Sequence, residues 1–201
     1  MSGIYGEKKA SPEGRGVEAA IVMALAGNPN CGKTTLFNEI TGSKQHVGNW
    51  PGVTVEKKEG VYRKNKSVRV LDLPGTYSLS PYSAEEVVAR DYIVRERPNV
   101  VVNLVDATSI ERNLYLTVQL METGIPMVVA MNMMDEVELR GDKIDCAGLS
   151  GALGIPVIPV VARTGKGLDG LIEAAVKVAR EGKKPVRPDI FGKELADAIQ
   201  A

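Results

Sequence analysis

Residues 27–34 read Gly27-Asn28-Pro29-Asn30-Cys31-Gly32-Lys33-Thr34, and this stretch decides the fold. It satisfies the pattern G-x-x-x-x-G-K-S/T, in which the backbone N–H groups of a glycine-bearing loop converge on phosphate oxygens. The apolar run at 20–26 predicts a buried strand before it, and residues 33–41 predict a helix that Gly42 stops. Because the loop lies between a strand and a helix, we interpret it as a phosphate-binding loop (P-loop).

Outward from this loop, apolar runs alternate with amphipathic windows, which is typical of an α/β domain on a mainly parallel sheet. Further strands are predicted at 53–62, 67–72, 100–106, 127–131 and 157–161, and further helices at 83–96, 109–122, 145–153 and 168–180. Ser83 and Glu86 form a capping box that opens the first of these helices. The many charges at 53–62 place that strand at a sheet edge.

Composition is that of a globular domain, with 201 residues, 44% of them hydrophobic, and 25 Lys+Arg balanced by 25 Asp+Glu. This excludes disorder and disulfide scaffolds, and zero net charge argues against non-specific binding to nucleic acid or anionic membrane. Apolar runs fall short of the roughly 20 residues that a membrane span needs. Cys31 and Cys146 make no framework, which favours a reduced cytosolic compartment.

Three parts are expected along the chain. Residues 1–18 form a polar leader, 19–182 the α/β domain, and 183–201 a linker with the start of a truncated helical segment.

Two further motifs follow predicted strands. In Asp72-Leu73-Pro74-Gly75, Asp72 can hold a water of a Mg²⁺ shell that the Thr34 hydroxyl also ligates, and the Gly75 N–H can sense a γ-phosphate. In Asn132-Met133-Met134-Asp135, the Asp135 carboxylate can accept the N1–H and the exocyclic amine of guanine. Adenine presents no such pair of donors, so Asp135 predicts selectivity for guanine.

The ordered set of P-loop, Thr54, D-x-x-G, N-x-x-D and Val161-Ala162-Arg163 matches the five motifs of small GTPases. More narrowly, the segments 27–30, 47–56, 72–79, 105–108 and 111–116 resemble the FeoB family of ferrous iron transport proteins, and the resemblance covers about residues 20–180. It implies a Ras-like P-loop GTPase fold with three layers. The implied sheet has six mainly parallel strands, with 53–62 antiparallel at the edge.

The resemblance also implies a function. The chain would be the cytosolic G domain that binds and hydrolyses GTP, followed in the complete protein by a helical domain and a membrane-embedded Fe²⁺ permease. It would act at the cytoplasmic face of the cell membrane, where it regulates Fe²⁺ uptake, and it would have no nucleic-acid partner.

Site residues are carried over by position. The two switches are implied to be loops at 46–54 and 75–83, with Mg²⁺ on Thr34, Thr54 and, through water, Asp72. A K⁺ ion is implied at the Asn30 side chain and at backbone carbonyls near Gly48 and Trp50. The implied catalytic residues are Asn30, Lys33, Thr54 and Gly75, and the implied nucleotide-binding residues are Asn28, Asn30, Cys31, Gly32, Lys33, Thr34, Thr35, Gly52, Val53, Thr54, Asp72, Gly75, Asn132, Met133, Asp135, Val161, Ala162 and Arg163.

From the residues alone, purely structural interpretations remain open. Asn30 suits a turn, and Trp50 suits a hydrophobic anchor. Cys31, beside Lys33 and a helix N-terminus, is expected to favour the reactive thiolate.

Three departures from the GTPase pattern bear on rate and affinity. Thr76 stands where Ras-like GTPases have the glutamine that positions water, so we expect slow hydrolysis. Met133 replaces the lysine of N-K-x-D, which lowers the expected affinity for nucleotide. Val161 replaces a common serine, which leaves only the Ala162 N–H to contact guanine O6 and predicts fast nucleotide release.

Two other functions remain open from the sequence. One is a K⁺-dependent ribosome-assembly or tRNA-modifying GTPase, which the neutral charge and the lack of a basic RNA module oppose. The other is an interaction module whose switches report GTP or GDP to a partner. Salt-dependent RNA binding would favour the first, and switching without hydrolysis the second.

Overall fold

A computed structural model describes residues 20–42 and 45–186 of the chain. Its strands are β1 (Ile21–Gly27), β2 (Gln45–Asn49), β3 (Glu56–Val61), β4 (Val68–Asp72), β5 (Val100–Asp106), β6 (Met127–Asn132) and β7 (Val157–Pro159). Its α-helices are α1 (Lys33–Thr41), α2 (Ala84–Asp91), α3 (Ile110–Glu122), α4 (Met134–Leu139), α5 (Cys146–Leu153) and α6 (Leu168–Glu181). A π-helical turn, Tyr92–Glu96, continues α2, and a 3-10 turn, Ala107–Ser109, precedes α3.

Part of the predicted organisation falls outside these ranges. The leader at 1–18 and residues 187–201 of the predicted linker segment lie outside the described residues. Among the residues that are described, no helix has both the length and the apolar character needed to cross a membrane.

The strands form one sheet in the order β2-β3-β4-β1-β5-β6-β7. Pairing is parallel from β4 through β1, β5 and β6 to β7, whereas β2 and β3 are antiparallel to their neighbours. The carboxyl ends of the parallel strands therefore meet at one edge of the sheet, which is where ligands bind in open α/β folds. The loops after β1, β4 and β6, which carry the predicted motifs, leave the sheet at this edge.

Helices cover both faces of the sheet. Because side chains alternate along each strand, one strand contributes residues to the core on each face. Along β1, Met23 and Leu25 pack in a core with residues of α1 and α6. Ala24 and Ala26 point to the opposite core, which residues of α2 and α3 fill. The predicted three-layer α/β architecture with a mainly parallel sheet is confirmed.

The sheet has seven strands rather than the six predicted, because residues 45–49 were expected to be a loop. This segment pairs with β3 from Gln45 opposite Gly60 to Asn49 opposite Glu56, so β2 is the edge strand and β3 lies inside it. The sequence gives no sign of β2, because neither of its faces is buried and its residues are mostly polar. The charges that placed β3 at the edge instead pair along the strand, as in Lys57–Glu59 at 3.2 Å.

Two other boundaries differ from the prediction. Strand β7 ends at Pro159 instead of residue 161, because the chain turns there and Val161 pairs back with Lys166. Helix α4 begins inside the Asn132-Met133-Met134-Asp135 motif and continues past it to Leu139. This helix was not predicted. Its six residues are too few to show a helical hydrophobic period.

Candidate functional site: a nucleotide site at the carboxyl edge of the sheet

The P-loop joins β1 to α1 in a conformation that its glycines permit. Gly27 and Gly32 have φ values of 152° and 94°, in the region that side chains rarely adopt. A Cβ atom at Gly27 would lie 2.6 Å from the Leu104 carbonyl oxygen, and one at Gly32 would lie 2.4 Å from the Asn132 amide nitrogen. Both motif glycines are therefore required by close contacts as well as by backbone shape.

Lys33 lies at the start of α1 and is folded back over the loop. Its side chain is buried, and Nζ donates to the carbonyl oxygens of Gly27 at 3.3 Å and Asn28 at 3.4 Å. A buried ammonium held by carbonyls at the mouth of a P-loop is placed to receive phosphate oxygens.

Asn28 and Asn30 occupy different environments in the same loop. Asn28 is buried, and neither polar atom of its amide has a hydrogen-bond partner among the described residues. Asn30 is exposed at the tip of the loop, in the left-handed conformation with φ 64°. Its side chain makes no hydrogen bond within the described part of the chain, so its oxygen is available to a ligand.

A candidate Mg²⁺ site lies where α1 meets the end of β4. The Thr34 hydroxyl donates to Asp72 Oδ2 at 3.1 Å, while Asp72 Oδ1 is buried and accepts no hydrogen bond. Burial raises the pKa of the Asp72 carboxyl, and the Lys33 ammonium and the Thr34 hydrogen bond counter this in part. A buried carboxylate oxygen without a partner, next to a hydroxyl, is a donor set that Mg²⁺ and its water shell suit.

The second switch packs against the P-loop. The Thr76 N–H donates to the Gly27 carbonyl at 3.2 Å, and a Cβ at Gly75 would lie 3.0 Å from Pro29 Cα. A side chain at position 75 would therefore crowd Pro29, so glycine allows the closest approach of this segment to the P-loop. The Thr76 side chain is buried and its hydroxyl donates to the Ser78 carbonyl, so it is not directed as the absent glutamine would be.

Glu86 holds the second switch in place, a role that the sequence did not indicate. Its carboxylate accepts from the backbone N–H of Tyr82 at 2.9 Å and of Tyr77 at 3.4 Å, and from the Thr76 hydroxyl at 3.4 Å. These hydrogen bonds, led by that from Tyr82, hold the pKa of Glu86 below its usual range. The capping-box pattern pointed to Glu86, and Ser83 does cap α2, but the contacts of the carboxylate with 76–82 depend on how the loop folds.

The first switch departs from the prediction, because its first half is strand β2. Its second half is a turn in which the Trp50 carbonyl accepts from the Val53 N–H at 3.3 Å. The Trp50 ring packs edge-on against Tyr92 at 5.3 Å, with the Lys57 ammonium 5.3 Å from its centroid. Thr54 is exposed, and within the described residues it makes no hydrogen bond to the P-loop or to Asp72. The structure therefore does not bring Thr54 to Thr34.

Asn132 joins the phosphate and base parts of the site. Its side-chain Nδ2 donates to the Cys31 carbonyl at 2.9 Å, and its Oδ1 accepts from the Ala162 N–H at 2.9 Å. Asn132 is 3% exposed, so these are protein contacts shielded from water. The residue fixes the loop after β7 against the P-loop, a bridging role that the motif alone does not reveal.

A small cavity of about 120 Å³ collects most of the predicted base-binding residues. Asp135 lies at its side, in the first turn of α4, and forms an ion pair with the Arg163 guanidinium. The pair lacks hydrogen-bond geometry, and Asp135 Oδ2 is buried without a hydrogen-bond donor. The cavity is lined by Gly32, Thr35, Asn132, Met133, Asp135, Glu136, Val161, Ala162 and Arg163.

The expectation of a reactive Cys31 is wrong. The thiol is 1% exposed, and burial raises its pKa, although the Lys33 charge and backbone N–H groups pull in the expected direction. Desolvation outweighs the local positive potential, because Cys31 is part of the core between β1 and α1.

Known proteins share both the sequence and the fold of this chain. The family model for ferrous iron transport protein B matches residues 21–175. The chain is 50% identical over 185 residues to the Fe(2+) transport protein A/Fe(2+) transporter FeoB fusion protein of Porphyromonas gingivalis, which covers 90% of this chain and 22% of that protein. It is 50% identical over 156 residues to the Fe(2+) transporter FeoB of Escherichia coli, covering 75% and 20%. The chain thus spans about a fifth of the length of these curated relatives.

Solved structures match over the same region. A crystal structure of an S. thermophilus NFeoB mutant bound to mGDP aligns with a TM-score of 0.86 and 48% identity, covering 90% of this chain and 70% of that chain. A second S. thermophilus NFeoB mutant, bound to GDP.AlF4−, aligns with a TM-score of 0.79 and 49% identity, with 90% and 70% coverage. The fold is therefore that of N-terminal G domains that bind guanine nucleotides.

Proposed function

This chain belongs to the ferrous iron transport protein B family, and we propose that its α/β domain binds GTP with Mg²⁺ and hydrolyses it to GDP and phosphate. The observation that carries the proposal is the Asn132 side chain, which links the P-loop carbonyl of Cys31 to the N–H of Ala162. One residue thereby sets the phosphate-binding loop beside the cavity that contains Asp135. A single nucleotide can therefore place its phosphates in the loop and its base in the cavity.

In this proposal each part of the nucleotide has its own residues. The N–H groups of the P-loop and the N-terminus of α1 hold the phosphates, and Lys33 leaves its carbonyl partners for the β- and γ-phosphate oxygens. The Asp135 carboxylate accepts the N1–H and exocyclic amine of guanine. The predicted contact of the Ala162 N–H with O6 would require this N–H to leave Asn132 Oδ1, to which it donates in the structure. An adenine base would leave the Asp135 carboxylate unpaired, at a cost that excludes ATP.

Hydrolysis proceeds by positioning and electrostatics. Water attacks the γ-phosphorus, the bond to the β–γ bridging oxygen breaks, and GDP and phosphate leave. Thr34, Thr54 and, through water, Asp72 would hold Mg²⁺, which would neutralise charge on the phosphate oxygens. The Gly75 N–H and Lys33 stabilise the charge that develops on the γ-phosphate. Because the Thr76 hydroxyl donates to the Ser78 carbonyl, no side chain at this position orients the water, and the reaction is slow.

A K⁺ site is proposed beside the phosphates at Asn30. Its exposed side-chain oxygen, without a protein partner, fits a cation, and carbonyls near Gly48 and Trp50 would complete the site. An ion held there would supply positive charge to the transition state, as an arginine finger does in other GTPases. Because Thr54 is exposed and, among the described residues, makes no hydrogen bond to the P-loop or to Asp72, the turn at 50–54 would have to move when nucleotide binds. The same movement would carry Thr54 towards Thr34.

In the whole protein we propose that this domain regulates Fe²⁺ uptake. Curated relatives named as Fe(2+) transporters are about five times longer than the matched region, so they carry further domains. The proposed partners are a helical domain and a membrane permease of the same polypeptide, which place this domain at the cytoplasmic face of the membrane. Its GTP and GDP states would then act on the permease through the two switches.

Phosphate release from GTP in Mg²⁺ tests the proposed reaction. Wild type should release phosphate from GTP, and Lys33→Ala should reduce the rate at least about a hundredfold, because it removes a charge on the transferred group. Lys64→Ala is the matched control, since Lys64 is an exposed lysine that pairs with Asp169. A variant Lys33→Ala that keeps the wild-type rate would overturn the assignment of the P-loop.

A further inference from the structure

The Arg163 guanidinium pairs with Asp135 Oδ2, an oxygen to which a guanine base would donate a hydrogen bond. In the structure its guanidinium forms an ion pair with Asp135 Oδ2, at the side of the small cavity that Asn132 and Ala162 also line. A guanine base donates two hydrogen bonds to the Asp135 carboxylate, so it requires both carboxylate oxygens. The base and the Arg163 guanidinium would therefore both contact the same oxygen, Asp135 Oδ2.

The Asp135 oxygen that pairs with Arg163 is buried. Asp135 Oδ2 is closed to water and accepts no hydrogen bond, although the Asp135 side chain as a whole is 23% exposed. A group that reaches Oδ2 must first displace what covers it. The Arg163 side chain is 71% exposed, so it can swing into solvent without disturbing the fold.

The size of the cavity points the same way. At about 120 Å³ it is far smaller than the roughly 300–1,000 Å³ of usual ligand pockets, and Arg163 is part of its wall. Moving this one side chain outward both opens the cavity and frees the carboxylate. The Ala162 N–H beside it donates to Asn132 Oδ1, so it does not compete for the Asp135 carboxylate.

We propose that Arg163 is an affinity-determining residue that competes with guanine for Asp135 and so weakens the binding of GDP and GTP. The inference rests on the proposed function, in which Asp135 reads guanine. In the free protein the ion pair stabilises the empty site, and nucleotide binding must break it. This adds a third expected cause of weak binding to the Met133 and Val161 departures, and it lies in the protein's own charge pair rather than in a missing contact.

Equilibrium binding of a fluorescent GDP to single variants is the first test. Arg163→Ala should lower the Kd by about two- to fivefold, the range for an exposed ion pair, through faster association, slower release or both. Lys166→Ala is the matched control, because this exposed lysine lies in the same loop, 3.9 Å from Glu138 and away from Asp135. It should leave the Kd unchanged, and Arg163→Lys should restore most of the wild-type value.

A double-variant cycle separates competition from a general effect on the loop. In an Asp135→Asn background, measured with xanthosine diphosphate, the residue at 135 is neutral, and Arg163→Ala should then have no effect on the Kd. An unchanged or higher Kd for GDP in Arg163→Ala would overturn the competition, as would equal tightening in the Asp135→Asn background. If Asp135→Asn fails to shift preference from GDP to xanthosine diphosphate, the base assignment itself is wrong, which is a separate outcome.

Discussion

Asn132 shows at the scale of single residues how the site is held together. Its amide uses one nitrogen and one oxygen to fix two loops that lie 101 and 30 residues away in the chain. Loss of the side chain would leave the Cys31 carbonyl and the Ala162 N–H without partners in a buried place, which costs about 1–3 kcal/mol for each group. The residue therefore shapes the site without needing to touch the nucleotide.

The two cysteines allow a direct test of burial against local charge. Burial raises the pKa of both thiols, but Cys31 is buried and Cys146 is partly exposed, so a maleimide at neutral pH should label Cys146 first. In a Cys146→Ser variant, labelling of the folded protein should be at least about tenfold slower than in wild type. Mass spectrometry of the intact chain measures the extent of labelling over time. Cys31 labelling as fast as Cys146 would contradict the structure.

Sequence reasoning failed at Cys31 for a physical reason that applies more widely. The sequence displays the charge of Lys33 and the start of α1, and both act on the thiol in the predicted direction. It does not display the packing against Gly27, where a Cβ atom would lie 2.8 Å from Sγ. Motifs give the local chemistry, whereas desolvation depends on the complete fold.

At the scale of elements, the hairpin of β2 and β3 is where prediction and structure differ most. Its strands are polar, and their pairing is stabilised by backbone hydrogen bonds rather than by a buried face, while the charge pairs Lys57–Glu59 and Lys58–Glu56 lie within β3 itself. The turn after β2 is tied to the α2 side by the contact of Trp50 with Tyr92. This supports the hydrophobic-anchor reading of Trp50 and connects the first switch to the helix of the second.

The proposed K⁺ site depends on this turn and on Asn30. Hydrolysis should be about ten- to a hundredfold faster in KCl than in NaCl at matched ionic strength, equivalent to about 1.4–2.7 kcal/mol, because a partly solvated ion should give less than the ~10³ to 10⁵ of an arginine finger. Asn30→Gly should remove the difference while it keeps the left-handed backbone at φ 64°, which Asn30→Ala would strain.

Steady-state phosphate release in the two salts measures this effect, with thermal unfolding of each variant as the control for folding. Equal wild-type rates in KCl and NaCl would remove the K⁺ mechanism and leave the GTPase proposal intact. A salt difference that persists in Asn30→Gly would place the cation elsewhere.

At the scale of the whole molecule, the site exists because parallel strands end at one edge. Loops after β1, β4 and β6 come from residues that are up to about a hundred positions apart, yet the order β4-β1-β5-β6 brings them together. Alternation of strands and helices predicted a mainly parallel sheet with helices on both faces, and so the edge at which the motifs meet, although it does not determine the strand order. Polar edge strand β2 and short helix α4 lie outside what a hydrophobic period can reveal.

The same reasoning separates what the sequence could and could not say about the site. Asp72, Thr34 and Asp135 were predictable as site residues, because few types of side chain can perform the chemical role proposed at each of these positions. Partners such as Glu86 for the second switch and Arg163 for Asp135 were not, since they are set by loop conformation. Both unpredicted partners belong to exposed loops or their borders.

The central claim is that this fold reads guanine through Asp135 and hydrolyses the bound triphosphate. Initial rates of phosphate release from GTP, ATP and XTP, for wild type and Asp135→Asn, test it most directly. We predict that wild type prefers GTP over ATP by about 10⁴-fold in kcat/KM, and that Asp135→Asn loses activity on GTP and gains it on XTP. Hydrolysis of ATP by wild type at a rate comparable to GTP, or an Asp135→Asn variant with unchanged preference, would contradict the account.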